Sequence, residues 1–439
     1  MHLVLRTGIL QKWGRRHRAP VPTNGRTDIA PTTGQNMSNT NLHIERSGCM
    51  SKPDQEVTAF KLLERNPGLD GLRAAACLIV MLFHWLSVFY PAAILGHFVQ
   101  SHSAYETYWF ESPFWFLSNG EFAVAVFFGL SGFVLTSDLF DRTQPSTLYR
   151  RALGRIVRLG IPAGISSILA GIMIVLGLYF VQAAALETGA SALFTGYFDF
   201  SSPVMQFLSN LFGSTWFGSP TAIQLYNPVL WTMSIEFQGS MLGFVMVLIL
   251  RIARYRSLIL LLLVAFLMAL DSTRGVYLAT MASGTALASL KPKRIPVAIA
   301  IAIAILGCLL GSYNSSPAFE RPATDIHCFG AVLVVIATIW CSRIAEIFAK
   351  PPLPFLGRIS FSCYLLHQPI LFSIVCWVFL KTNSFGFIYA TLLSFAIFMS
   401  VTLFFAIIFE AYIDQPSRTL ARKVGSFASA LVYPITNRM

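Results

Sequence analysis

Residues 72–90, LRAAACLIVMLFHWLSVFY, form a run that a bilayer can hold and that an exposed soluble segment cannot. A hydrocarbon core of roughly 30 Å asks for about 20 residues of helix. Inside lipid, the backbone of such a run must satisfy its own polar groups, which makes it helical. Asn66-Pro67-Gly68 precedes it as a turn, and one titratable group, His84, sits inside it. Arg73 lies eleven residues earlier, at the polar edge. That spacing is about three helical turns, so both side chains share nearly one face about 16 Å apart. Asp70 joins the same face if the helix starts that early. An ionisable side chain at mid-membrane is costly and marks a functional candidate. The plainer reading is a neutral histidine hydrogen-bonded within a helix bundle.

The same pattern recurs along the chain. Of 439 residues, 55% are hydrophobic and 12% charged, against about 25% charged in soluble domains. Apolar runs predict ten spans, at 72–90, 121–139, 159–181, 229–250, 257–270, 276–290, 295–312, 325–342, 358–380 and 386–409. The fold expected is all-α, a polytopic bundle of about ten transmembrane helices. The short fifth and sixth runs could instead form one re-entrant hairpin. With the N-terminus cytoplasmic, the inner loops carry fourteen Lys and Arg and the outer loops three. That asymmetry is the positive-inside bias, and it puts both termini in the cytoplasm. The net charge of +12 is therefore mostly topology and gives no case for nucleic acid.

Seven cysteines form no CxxC or CxxH pair, so neither a metal site nor a disulfide framework is indicated. Residues 1–65 read as a disordered basic tail, 66–420 as the membrane domain and 421–439 as a short cytoplasmic tail. Leu3 to Leu5 is too short for a signal peptide. Arg15, Arg16 and Arg18 faintly resemble a transit peptide; a plain basic tail, or a start at Met37 or Met50, fits as well. Two outer loops, 91–120 and 182–228, are rich in aromatics. They read as an interfacial belt or as a lid over an acceptor. Asn314-Ser315-Ser316 is a glycosylation sequon close to the membrane.

Four constellations could carry chemistry. Arg73 with His84 is the first. Arg151, Arg155 and Arg158 are the second, spaced to share one face of a short helix at the cytoplasmic surface. Guanidinium groups suit phosphate oxygens, although positive-inside charge or lipid headgroups explain the row equally well. Glu236 is the third, expected about 10 Å below the outer edge of its span. His367, in GRISFSCYLLHQP, is the fourth. His84, Glu236 and His367 are all expected near the midplane, above the arginines. A donor with phosphates at one end and a long thioester arm, such as coenzyme A, fits that layout. The alternative is a multi-pass transporter or exporter of a small metabolite. It would more often show repeats and broken helices at mid-depth, and the sequence displays neither.

These stretches resemble acyltransferase family 3, integral-membrane enzymes that move acyl groups from acyl-CoA to hydroxyls. LDGLRAAACLIVMLFHW resembles the family's Arg-x10-His motif, and Arg155-Ile-Val-Arg158 its Arg-x-x-Arg motif. FFGLSGFVLT (127–136), LWTMSIEF (230–237), LGRISFSCYLLHQP (356–369) and IDQPSRTL (413–420) resemble further family stretches, so the likeness covers about 66–420. It implies His84 as catalytic and Arg73, Arg155 and Arg158 as supporting the use of acyl-CoA. Joined to the reading of the residues, His84 is expected as general base, oriented by Arg73 or Glu236, with Arg151, Arg155 and Arg158 holding the CoA phosphates. An acyl-histidine intermediate is a variant of the same chemistry. Asp70, His367 and Ser131, which lie within the matching stretches, are further candidates. No permanent cofactor is implied. Acyl-CoA, with acetyl-CoA favoured, is a co-substrate, and the other partners are a small-molecule hydroxyl acceptor and the bilayer of an endomembrane or the plasma membrane. Glu236-Phe-Gln-Gly-Ser240 departs from the bacterial Glu-Glu form and is similar to the fungal branch. That favours a fungal metabolite or a cell-surface sugar as acceptor.

Overall fold

Helix α1, Pro67–Phe89, starts at the turn read from the sequence. The Asn66 side chain accepts from the Gly68 N–H at 3.0 Å, and Pro67 occupies the first helical position. Both satisfy the end of a helix whose first amides lack intrahelical partners. The computed structural model describes residues 66–140, 145–200, 202–218, 222–270, 273–290, 294–314 and 320–436. The tail expected over residues 1–65 lies outside them, as do Ser315 and Ser316 of the sequon. Asn314 is described, and its side-chain amide donates to the Phe110 carbonyl.

Among the described residues all regular structure is helical. After α1 come α2 (Gly120–Thr136), α3 (Pro145–Val175) and α4 (Trp231–Ile252). Next are α5 (Arg256–Ala269), α6 (Thr273–Ser289), α7 (Val297–Gly311) and α8 (Glu320–Trp340). Then follow α9 (Leu353–Ile370), α10 (Cys376–Thr382), α11 (Phe387–Phe409) and α12 (Gln415–Thr436). Every apolar run read from the sequence is a helix. Six segments among the described residues are long and apolar enough to cross a membrane. They are Pro67–Phe89, Ser146–Val175, Pro228–Ile252, Ala323–Trp340, Leu353–Phe385 and Phe387–Phe427. The other four helices, α2, α5, α6 and α7, are shorter.

Burial ranks these segments. Leu353–Phe385 is 83% buried and Phe387–Phe427 only 28%, so α9 forms the centre and α11 the rim. Helix α9 lies against α1, α3 and α11, while α2 lies against α1, α6 and α8. At Gly357 the first turn of α9 touches α1 so closely that a Cβ would collide with the Asp70 carbonyl. Exposed side chains on α5, α7 and α11, such as Phe266, Ile305 and Leu392, are apolar. A contiguous apolar exterior of this kind is what lipid contact requires.

Three features depart from the sequence reading. First, the helical segment Leu353–Phe385 is irregular near its middle, where α9 ends. Pro369 has no N–H to offer the Leu365 carbonyl, and a π turn, Leu371–Val375, separates α9 from α10. The chain stays helical through this turn, so it is an irregular turn within one segment and not an unwound helix. Second, α3 is one continuous 31-residue helix, so the arginine row lies on the span itself and not on a separate short surface helix. Third, α12 continues α11 through a π turn, Glu410–Asp414, and runs unbroken past residue 420. It packs along α3, in backbone contact where Gly425 meets the Arg150 carbonyl.

The described parts of the two aromatic loops, 91–120 and 182–228, are folded onto the bundle. Trp115 is buried and donates through Nε1 to the Ala93 carbonyl at 3.0 Å. Thr188 donates to the Val88 carbonyl at 2.5 Å, fixing the second loop to the end of α1. Phe198 and Phe194 lie 6.0 and 5.7 Å from Phe372, which belongs to the π turn of α9. Together these contacts cover the C-terminal end of α1 and the π turn that follows α9.

Candidate functional site

Two polar levels cross the bundle. The upper one is built where α1 meets the irregular end of α9. His84 of α1 and His367 of α9 lie with ring centroids 5.1 Å apart and planes tilted by 37°. The Gln368 amide nitrogen lies 3.0 Å from His84 Nδ1. His367 is fully buried. Its Nδ1–H donates to the Tyr364 carbonyl at 2.8 Å, which leaves Nε2 as the acceptor nitrogen. That Nε2 has no hydrogen-bond partner, and neither does Gln368 Oε1. Buried polar atoms are normally paired, and an orphan costs about 1–3 kcal/mol. The two orphans belong to consecutive residues of α9, and a ligand hydroxyl that reached His367 Nε2 would supply the partner it lacks.

The irregular stretch is itself braced. The Leu365 carbonyl, released by Pro369, accepts from Ser166 Oγ of α3 and from Asn227 Nδ2, each at 2.8 Å. Phe180 N–H donates to the Phe372 carbonyl at 2.7 Å. Tyr364 donates to the Val229 carbonyl at 3.0 Å and meets the Thr232 hydroxyl at 2.9 Å. Asn227 and Pro228–Leu230 are buried, so the chain enters the bundle before α4 begins. Glu236 therefore lies deeper than its place in the span suggested. Nine residues beyond Asn227, it is about 13 Å further along the helix axis. The structure does not bring Glu236 to the two histidines.

Glu236 belongs instead to the lower level. There Arg155 of α3 pairs with Glu236 of α4, and its Nε donates to Ser240 Oγ at 2.9 Å. Ser131 of α2 donates to the same Glu236 oxygen at 3.0 Å. Arg73 holds Asp70 at 3.2 Å and lies within electrostatic reach of Glu236 and Arg155. Arg151 grips Asp138 with two nitrogens and donates to the Leu135 carbonyl at 3.1 Å. Arg418 of α12 pairs with Asp414 and lies 3.6 Å from Glu410, both buried.

Arg158 differs from these four. Its side chain reaches the surface from a crowded base, has neither hydrogen bond nor ion pair among the described residues, and feels Arg155, Arg418 and Arg73 against Asp414. So the three arginines read as one row have separate situations. Two are occupied by carboxylates, and the third has no direct partner among the described residues, with three arginines and Asp414 within electrostatic reach. An anion is the ligand such a guanidinium lacks.

Sequence reading singled out His84, His367, Arg73, Asp70, Glu236, Ser131 and the three arginines, but passed over several of their partners. Gln368 was missed although it follows His367 directly and precedes Pro369. Asn227 and Ser240 were missed because their partners, Leu365 and Arg155, lie on helices distant in sequence; Asp138 and Asp414 lie 13 and four residues from Arg151 and Arg418, and that spacing was a signal passed over. Two levels about 16 Å apart, joined by the α1 face from His84 to Arg73, could bind an anion at one end and hold a hydroxyl at the other. Among protein-family models, the acyltransferase domain matches residues 66–411. No curated protein and no solved structure matches the chain.

Proposed function

Since the chain belongs to the acyltransferase-domain family, matched over residues 66–411, and is an acyltransferase, we propose that it is an integral-membrane O-acyltransferase. It moves a short acyl group, acetyl above all, from acyl-CoA to a hydroxyl of a secondary metabolite or sugar. The observation that carries this reading is the upper level: His84 held by Gln368, beside His367 with an unpartnered Nε2.

The steps follow from those groups. The acceptor hydroxyl hydrogen-bonds to His367 Nε2 as it enters, replacing a missing partner. A half-turn of the Gln368 carboxamide puts its oxygen against His84 Nδ1–H and leaves the Nε2 lone pair free. The hydroxyl then turns its O–H from His367 to His84 Nε2, and His84 takes the proton as general base. The oxygen attacks the thioester carbonyl, the carbon–sulfur bond breaks, and the thiolate takes the proton from His84. Proton transfer by a positioned base contributes about 10²–10⁴ in rate. Arg158, the unpaired guanidinium of the lower level, receives a phosphate of the donor. Arg73, Arg155 and Glu236 keep that end of the bundle assembled.

The test is CoA release from acetyl-CoA by membranes containing the protein together with its native metabolites. His84→Ala should abolish it while the protein still inserts to the same level. Undiminished release would overturn the assignment of His84. A transporter of a metabolite would release none in either form.

A further inference from the structure

A shallow groove of about 300 Å³ opens beside the lower level, where the first turn of α1 meets the start of α9. It is lined by Pro67, Asp70, Pro354, Phe355 and Arg358. Phe355 is 43% exposed, and the Arg358 guanidinium lies over its ring, 5.1 Å from the centroid. Arg358 has no ion pair among the described residues, so its charge answers only the ring. Both planes, the ring and the guanidinium, accept a nucleobase by stacking. The floor is fixed, because Gly357 packs without space against the Asp70 backbone. Asp70 Oδ1 accepts from Arg73, and the partly exposed carboxylate remains able to accept from an amino group.

We propose that this groove seats the purine base of a nucleotide-bearing donor, its exocyclic amino group directed to Asp70 and its ring on Phe355 and Arg358. The assignment rests on the reading of acyl-CoA as donor. The order of groups along the bundle then matches the order along such a donor. The base lies at Phe355 and the phosphates beside it at Arg158, within reach of Arg73 and Arg418. The thioester arm follows α1 from Asp70 to His84, fourteen residues or about 21 Å. The Phe355 ring offers a flat face beside Arg358, and the Asp70 carboxylate in the same lining repels a phosphate, which together favour a base over a second phosphate as the occupant.

The experiment measures equilibrium binding of CoA and of 4′-phosphopantetheine, which lacks the base, to the full-length protein in lipid nanodiscs. Stacking on an aromatic ring is worth about ten- to hundredfold in affinity. Phe355→Ala should therefore weaken CoA at least tenfold and leave phosphopantetheine unchanged, and Phe355→Trp should retain CoA binding. Equal CoA affinity in Phe355→Ala and the unaltered protein would place the base elsewhere and leave the donor reading standing. Equal weakening of both ligands would make Phe355 a structural residue and overturn the base site. If the unaltered protein binds no CoA, the donor reading fails and this site with it.

Discussion

The two polar levels of the bundle use the same kind of expensive group and treat it in opposite ways. At the lower level four arginines are each matched to a carboxylate, with Ser131 and Ser240 adding hydrogen bonds, although Arg418 Nε is buried without a partner. At the upper level the groups are neutral, and His367 Nε2 and Gln368 Oε1 are buried without partners. Saturated charge holds helices together, and unsaturated neutral polarity awaits a substrate. Within the lower level Arg158 repeats the contrast on a smaller scale, as the guanidinium left for an incoming anion.

The sharpest way to break this comparison is to unpair the lower level. Removing one member of a buried ion pair strands the other charge, at about 3–5 kcal/mol. Glu236→Ala should cost stability of that order, read as loss of thermal stability and yield in detergent. Arg155→Met combined with Glu236→Leu should recover much of it, because no charge is then stranded. If the double variant is as unstable as the single one, the level is more than a clamp. A smaller effect is expected at the bracing of the upper level. Asn227→Leu leaves the Leu365 carbonyl with Ser166 alone, at about 1–3 kcal/mol. Because that carbonyl supports the irregular stretch beside His367, turnover should fall more than donor affinity. A change confined to donor affinity would separate the bracing from the histidines.

Much of this architecture was legible in the sequence, for a physical reason. Apolar runs admit one backbone solution in lipid, so each of the ten runs appears as a helix. His84 and Arg73 were legible because both lie on one helix, where spacing alone fixes geometry. Glu236 was not, because its depth depends on where the chain dives before α4. Residues 182–228 look like an outer loop by composition, yet Asn227 is buried at the level of Leu365. The arginine row misled for a related reason. Periodicity shows which residues share a face but not which helix faces them, and Asp138 and Glu236 arrive from the end of α2 and from α4. The irregular end of α9 had a visible signal in Pro369, two residues after His367.

The central claim is that chemistry belongs to the upper level and donor binding to the lower. The direct measurement pairs CoA affinity with saturated turnover in two variants of the purified protein. His84→Ala should bind CoA with the affinity of the unaltered protein and show no acyl transfer. Arg158→Ala should bind about tenfold more weakly, as expected for loss of a charge-assisted hydrogen bond, and recover full turnover at saturating donor. Reversed results, with His84→Ala losing CoA affinity and Arg158→Ala losing turnover at saturation, would contradict the division.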